Sequence, residues 1–153
     1  MFKKCLIIIA VSVLVTAASL VGAETPKPGG AINVVIQPEP PGLMLGLLQN
    51  GPTQMVAGNI YEGLLRYDNN LDPMPELAEK WTVTDGGTVY TFHLKQGVTW
   101  HDGKPFTAAD VIFTAEEFLP LSHPRWPVTK SKVEKIEAPD DYTVRFTLKQ
   151  PFG

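Results

Sequence analysis

The chain has 153 residues, with 13 Lys or Arg against 16 Asp or Glu, so its net charge at pH 7 is −3. No basic cluster follows the first few residues, which argues against a nucleic-acid partner. The only cysteine is Cys5, which excludes a small scaffold held by disulfides, so we expect a domain stabilised by its own core.

Residues 1–23 have the pattern of a cleavable secretory signal peptide. Two lysines are followed by an apolar run from Cys5 to Leu20, and the small residues of Val21–Ala23 precede the predicted cleavage before Glu24. An uncleaved membrane anchor is the alternative, which the short apolar run disfavours. Cys5 lies at the start of the run, whereas a lipoprotein would carry its cysteine just after it. The predicted location is therefore periplasmic or extracellular, without a lipid anchor.

Two elements are predicted in the first half of the mature chain. Residues 24–30 form a flexible lead-in, and the nearly continuous apolar run Ala31–Ile36 predicts a strand covered on both faces. Three prolines within residues 38–42 end this strand. Apolar residues at helical spacing then predict a helix over Thr53–Leu64, with Thr53 as its N-cap.

Two hairpins with alternating polarity are predicted in the second half. The first joins Trp81–Thr84 to Val89–Lys95 through residues 85–88, and the second joins Val133–Ala138 to Thr143–Lys149. Because successive strand residues point to opposite faces, the alternation predicts which side chains lie on the inner face. These are Tyr90, Phe92, Leu94, Val144, Phe146 and Leu148. The pattern is typical of antiparallel strands with one face in water.

A well-marked helix is predicted between the two hairpins. Thr107 is its N-cap and Asp110 its third residue, which together make a capping box with Asp in place of Glu. Phe106 and Val111 form a hydrophobic staple across that cap. Pro120 is predicted to end the helix, and the pair at 116–117, both Glu, is interpreted as a solvated helix face.

The adjacent His101 and Asp102 raise the question of a catalytic or metal-binding pair. Neighbouring side chains on an extended segment point to opposite sides, so the two are poorly placed to hold one ion or relay a proton. A zinc site needs three or four ligands, and the other histidines offer little support. Asp102-Gly103 is a strong turn dipeptide. The favoured interpretation is a structural turn.

Other candidate chemistry is sparse. No Gly-x-Ser-x-Gly motif, mature cysteine or phosphate-binding glycine loop is present, so no catalytic or metal-binding residue and no cofactor are predicted. Trp81 and Trp100 flank the first hairpin, where a large aromatic usually belongs to the core. Trp126 lies between two prolines in a segment predicted to be an irregular loop. It is interpreted either as a packing anchor or as an aromatic wall for a ligand.

Six segments occur in an order that resembles the family 5 extracellular solute-binding proteins of ABC transporters, the dipeptide, oligopeptide and nickel binders. They are Ile60–Leu64, Pro75–Trp81, Tyr90–Val98, Trp100–Gly103, Phe106–Val111 and Ile136–Val144. The resemblance implies an α/β fold of the type II periplasmic-binding-protein kind, a two-lobed clamp with an additional α+β subdomain. It assigns residues 24–47 to the start of the first lobe's sheet and residues 48–153 to the additional subdomain. Since such proteins are several times longer, only the N-terminal part is expected here.

The function implied by the resemblance is capture of a short peptide, or a similar small solute, and its delivery to an ABC permease in the membrane. Neither enzymatic activity nor a nucleic-acid partner is implied, and the protein is expected to be monomeric. Nickel chelates, sugars and opines are alternative ligands. A secreted chaperone or signalling module on the same fold is an alternative function, and a secreted hydrolase is a less favoured one.

The site residues implied by the resemblance fall into two groups. Those expected to reach the ligand cleft are Gln37, Pro38, Glu39, Leu43 and Trp126, while the main ligand contacts are expected in the part that follows this chain. Those that match the family signature, with an expected structural role, are Trp81, Trp100, His101, Asp102, Gly103 and Asp110.

Overall fold

The computed structural model describes residues 28–151. Residues 1–27 and 152–153, and with them the predicted signal peptide, lie outside the described part. The chain divides into two compact units, residues 1–35 and 36–153. Within residues 28–151, no helix is both long and apolar enough to cross a bilayer.

The described residues of the first unit, 28–35, have no regular secondary structure. The strand predicted over Ala31–Ile36 is not formed, and this prediction was wrong for the described structure. Ile32 and Val35 are 90% and 89% exposed. A strand needs a hydrogen-bonded neighbour, and none of the described strands pairs with this segment.

The described residues of the second unit, 36–151, form four α-helices, a short 3-10 turn (Asp85–Gly87), a π-helical segment and six strands. The helices are α1 (Gly51–Ala57), α2 (Ala108–Phe113), α3 (Leu119–Ser122) and α4 (Trp126–Lys132), and a π-helical segment (Thr114–Phe118) joins α2 to α3. The strands are β1 (Leu65–Tyr67), β2 (Pro73–Pro75), β3 (Ala78–Thr84), β4 (Val89–Leu94), β5 (Val133–Asp140) and β6 (Thr143–Leu148). β1 and β2 form a short antiparallel pair that the sequence pattern did not reveal.

Helix α1 is shorter than predicted and begins earlier. Its N-cap is Asn50, whose side chain accepts the backbone N–H of Thr53 at 2.9 Å, so Thr53 lies inside the first turn and is not the cap. Asn is as good an N-cap as Ser or Asp, and better than Thr. The helix ends at Gly58, whose N–H bonds to the carbonyl of Gln54. A glycine costs a helix interior roughly 1 kcal/mol relative to Ala, which favours ending the helix there.

The four larger strands form one antiparallel sheet with the order β3-β4-β6-β5. Both predicted hairpins are confirmed, β3 with β4 and β5 with β6, and β6 lies beside β4 in the middle. Of the six side chains predicted on the inner face, Leu94 is 2% exposed and Val144 is fully buried, and the other four are half-buried. Trp81 is half-buried opposite Phe92.

The residues between β4 and β5 form a helical layer made of α2, the π segment, α3 and α4. This layer begins as predicted. The Asp110 carboxylate accepts the backbone N–H of Thr107 at 2.8 Å and the Thr107 hydroxyl at 3.3 Å. Pro120 does not end the layer, because the chain widens into the π segment and continues through α3 to Ser122. Proline is tolerated in the first turn of a helix, where its missing N–H would have no intrahelical partner, and Pro120 occupies that position in α3.

The core lies between the inner face of the sheet and helix α2. Its buried residues are Ala78, Leu94, Phe106, Ala108 and Val144. The rings of Phe92 and Phe146 pack edge to face on the adjacent strands β4 and β6, with centroids 5.8 Å apart. Edge-to-face packing is a favoured aromatic geometry that adds to the burial of both rings.

Candidate functional site

An apolar groove of about 370 Å³ lies between the sheet and the helical layer. Aromatic and aliphatic side chains of the inner sheet face form one side, and residues of α2, the π segment, α3 and α4 form the other. No charged side chain is among those that line it. A volume in this range is common for small-molecule sites, but the groove offers few polar groups to orient a ligand. The lining includes Tyr90, Phe92, Phe146, Leu148, Leu119 and Trp126.

Trp126 lies on the helical side of this groove. The segment around it is not the irregular loop that the two prolines suggested, because Trp126 is the first residue of α4 and Pro127 the second. The indole Nε1–H of Trp126 donates a hydrogen bond to the carbonyl of Ala115 at 2.9 Å. Trp126 therefore anchors α4 to the π segment while its ring borders the groove.

The loop after residue 36 lies elsewhere on the second unit. Gln37, Pro38 and Glu39 are exposed, Leu43 is 45% exposed, and none of the four is among the residues that line the groove. The Gln37–Pro38 peptide bond is cis. The structure thus does not bring these residues to the groove beside Trp126, and their contact with a ligand stays a prediction.

The segment that follows this loop is packed onto the helices. The hydroxyl of Thr53 donates to the carbonyl of Gly42 at 3.0 Å, and Gly46 lies directly against the ring of Phe118 in the π segment. Because Thr53 is fully buried, its hydroxyl needs a hydrogen-bond partner inside the protein, and the carbonyl of Gly42 provides it. The π segment is therefore contacted from two directions, by Gly46 and by Trp126.

The predicted turn is formed over Trp100–Gly103. The N–H of Gly103 bonds to the carbonyl of Trp100 at 2.9 Å, and the φ angle of Gly103 is +84°, a value that favours glycine. Asp102 accepts the backbone N–H of Lys104 at 3.1 Å and pairs with its ammonium at 2.9 Å. Trp100 is 43% exposed and packs edge to face on Phe106, so the expectation that it is core was wrong.

The electrostatics of this turn are those of a surface ion pair. The side-chain hydrogen bond from Lys104 holds the pKa of Asp102 below its usual value, with the backbone N–H of Lys104 acting in the same direction. The carboxylate therefore stays charged to lower pH, and the pair is lost only as the pH falls through that lowered pKa. Within residues 28–151, no group of three or more His, Cys, Asp or Glu could hold a metal ion.

Two site features were missed at the level of sequence. Glu116 was interpreted as part of a solvated face, but its carboxylate is bonded to the ammonium of Lys130 in α4, while Glu117 is exposed. The carbonyl of Ala115 was not singled out at all. Pro120, three residues after Glu117, was the available signal, since it removes a backbone donor from the helical layer.

Comparison with known proteins assigns the chain to a family. The sequence profile of the bacterial extracellular solute-binding proteins, family 5 middle, matches residues 72–153, which is more than half of the chain. The chain belongs to this family. The chain is also similar to a probable peptide ABC transporter periplasmic-binding protein of Sinorhizobium fredii, to which it is 34% identical over 103 residues, 67% of this chain and 19% of the relative.

Two further proteins are similar to this chain. The glutathione-binding protein of Escherichia coli is 38% identical over 102 residues, 66% of this chain and 20% of its own length. The oligopeptide-binding protein AppA of Bacillus subtilis, solved with a nonapeptide, is 33% identical and superposes with a TM-score of 0.65, covering 72% of this chain and 22% of AppA. The resemblance read from the ordered motifs is confirmed, as is the fold class of a type II periplasmic binding protein. The chain spans about a fifth of the length of the curated relatives it matches.

Proposed function

We propose that this chain is the N-terminal part of the solute-binding component of an ABC importer. The whole protein captures a short peptide, or a solute of similar size, outside the cytoplasm and delivers it to a membrane permease. The family match over residues 72–153 is the observation that carries this proposal. Relatives named for peptides and for glutathione support a peptide-like ligand.

Within this proposal the chain supplies scaffold and one edge of the ligand site. Residues 24–47 begin the first lobe, and residues 48–153 form its additional subdomain. Gln37, Pro38 and Glu39 form an exposed irregular loop that is open to a partner or ligand. Trp126 offers an aromatic ring at the groove. Loops held by a rigid scaffold are where binding residues are commonly found.

The proposed capture is tested with the protein made from the entire reading frame that contains this chain. The protein is purified without denaturation, retained solute is extracted for mass spectrometry, and titration calorimetry is run with defined di-, tri- and nonapeptides. We expect one peptide bound per protein and no cleavage products. Peptide hydrolysis would favour the secreted hydrolase, and binding only to unfolded proteins would favour the chaperone.

The contribution of the exposed loop is tested in the same protein. Replacing Gln37 by Ala removes side-chain hydrogen bonds to the ligand, and a typical net hydrogen bond of about 0.5–1.5 kcal/mol corresponds to a roughly 2- to 10-fold weaker Kd. Glu117→Ala, on the exposed side of the π segment, is the matched control and leaves the Kd unchanged. If the unmodified protein, Gln37→Ala and Glu117→Ala all bound the peptide with the same affinity, Gln37 would not contact the ligand.

A further inference from the structure

The π segment leaves one carbonyl of the helical layer without a backbone donor. In an α-helix the carbonyl of Ala115 would accept the N–H of Leu119, but that N–H bonds to the carbonyl of Thr114. In the wider π pattern the donor would be residue 120, which is Pro120 and has no N–H. The combination of a π turn and a proline therefore leaves the carbonyl of Ala115 without a backbone N–H donor.

Trp126 supplies the missing donor from a different helix. Its indole N–H lies 2.9 Å from the Ala115 oxygen, and Ala115 is only 4% exposed. A buried carbonyl without a partner is costly, so this hydrogen bond satisfies an acceptor that the backbone of the layer does not. The hydrogen-bond donor that Pro120 lacks is thus replaced by the indole N–H of Trp126, six residues later.

A second contact acts at the same place. Lys130, four residues after Trp126 and on the same side of α4, is bonded to the carboxylate of Glu116, next to Ala115. The C-terminal end of α4 is held next to the sheet, because Lys149, the residue after β6, donates its backbone N–H to the carbonyl of Lys132 at 2.9 Å. Helix α4 is therefore fixed at its C-terminal end by Lys149 and elsewhere by the side-chain contacts of Trp126 and Lys130.

We propose that Ala115, Pro120 and Trp126 form a latch that sets the width of the apolar groove. Trp126 and Thr129 of α4 line the groove opposite the sheet. When the indole bond and the Lys130–Glu116 ion pair both open, α4 pivots about its attachment at Lys132 and the groove widens. The latch goes beyond the transport function proposed above and does not depend on it.

The latch predicts that Trp126 and Pro120 are energetically coupled. In Pro120→Ala, residue 120 regains an N–H and the Ala115 carbonyl gains a backbone donor. Trp126→Phe keeps an aromatic ring and removes the indole donor, and the loss of ring packing cancels between the two backgrounds. We expect Trp126→Phe to lower the folding equilibrium constant about tenfold more in the unmodified chain than in the Pro120→Ala background, which corresponds to about 1.4 kcal/mol.

The coupling is measured by urea denaturation of the full 153-residue chain and its three variants, followed by circular dichroism. An equal effect of Trp126→Phe in both backgrounds would overturn the latch. If a variant does not fold, indole hydrogen exchange in the unmodified chain decides the question by NMR. We expect the Trp126 indole N–H to exchange at least about tenfold more slowly than that of Trp100, which is 43% exposed. Equal exchange rates of the Trp126 and Trp100 indole N–H groups would overturn the latch.

Discussion

At Gly46 the backbone lies so close to a ring that a side chain has no room. A Cβ there would overlap Cε1 of the Phe118 ring and lie 2.8 Å from its Cζ. Real Cβ contacts are longer than 3.0 Å, so either the ring or the loop must shift. Phe118 belongs to the π segment and is half-buried. The glycine therefore permits the loop over residues 42–49 to pack on the helical layer.

We expect Gly46→Ala to lower the free energy of unfolding by about 1–3 kcal/mol, the usual cost of forcing extra atoms into a packed contact. The measurement is urea denaturation. Gly51→Ala is the matched control, because a Cβ at Gly51 meets nothing within 4 Å and the residue starts α1. The control is expected to be neutral or to stabilise by up to about 1 kcal/mol. Equal effects of the two changes would contradict the close packing at Gly46.

At the scale of the element, the helical layer depends on a cap that the sequence showed clearly. The Asp110 carboxylate accepts the N–H of Thr107 at 2.8 Å, which satisfies a backbone donor next to the start of α2. Phe106, the residue before the cap, is 6% exposed and belongs to the core. The cap thus directs the chain from the turn at Gly103 into the helix and buries Phe106 on the way.

Replacing Asp110 by Ala removes this cap and is expected to lower the free energy of unfolding by about 0.5–2 kcal/mol. Thermal and urea denaturation monitored by circular dichroism in the far ultraviolet provide the measurement. Glu117→Ala tests whether the effect is specific to the cap, because Glu117 is an exposed acid in the adjoining segment. If Glu117→Ala destabilised the chain as much as Asp110→Ala, net charge and not capping would be responsible.

Elements whose causes are local were predictable from the sequence. The two hairpins follow from period-two alternation, and the start of α2 follows from the chemistry of Thr107 and Asp110. Elements that depend on distant contacts were not. A strand at 31–36 needs a neighbour, and α4 is held by Trp126 through a carbonyl eleven residues away. The spacing of polar and apolar residues along the chain does not indicate the hydrogen bond between Trp126 and Ala115.

At the scale of the whole molecule, the family was recognisable because six motifs occur in one order, and the profile match over residues 72–153 confirms it. The groove was not predictable, since its lining comes from β4, β5, β6 and the helices together. Trp126 was identified as a residue of interest, but its partner was not. An ordered set of motifs identifies a fold more surely than it identifies the contacts within a site.

Export of the chain is the remaining whole-molecule expectation, and it concerns residues outside the described part. Signal peptidase accepts small side chains at the cleavage site, so we expect processing after Ala23 and a mature protein that begins at Glu24. N-terminal sequencing and intact-mass measurement of the protein from a periplasmic extract test this directly. Ala23→Leu is expected to retain Met1 and to leave the protein in the membrane fraction, whereas Ala10→Leu, inside the apolar run, is processed normally. A mature wild-type protein that still carries Met1 would support the uncleaved anchor instead.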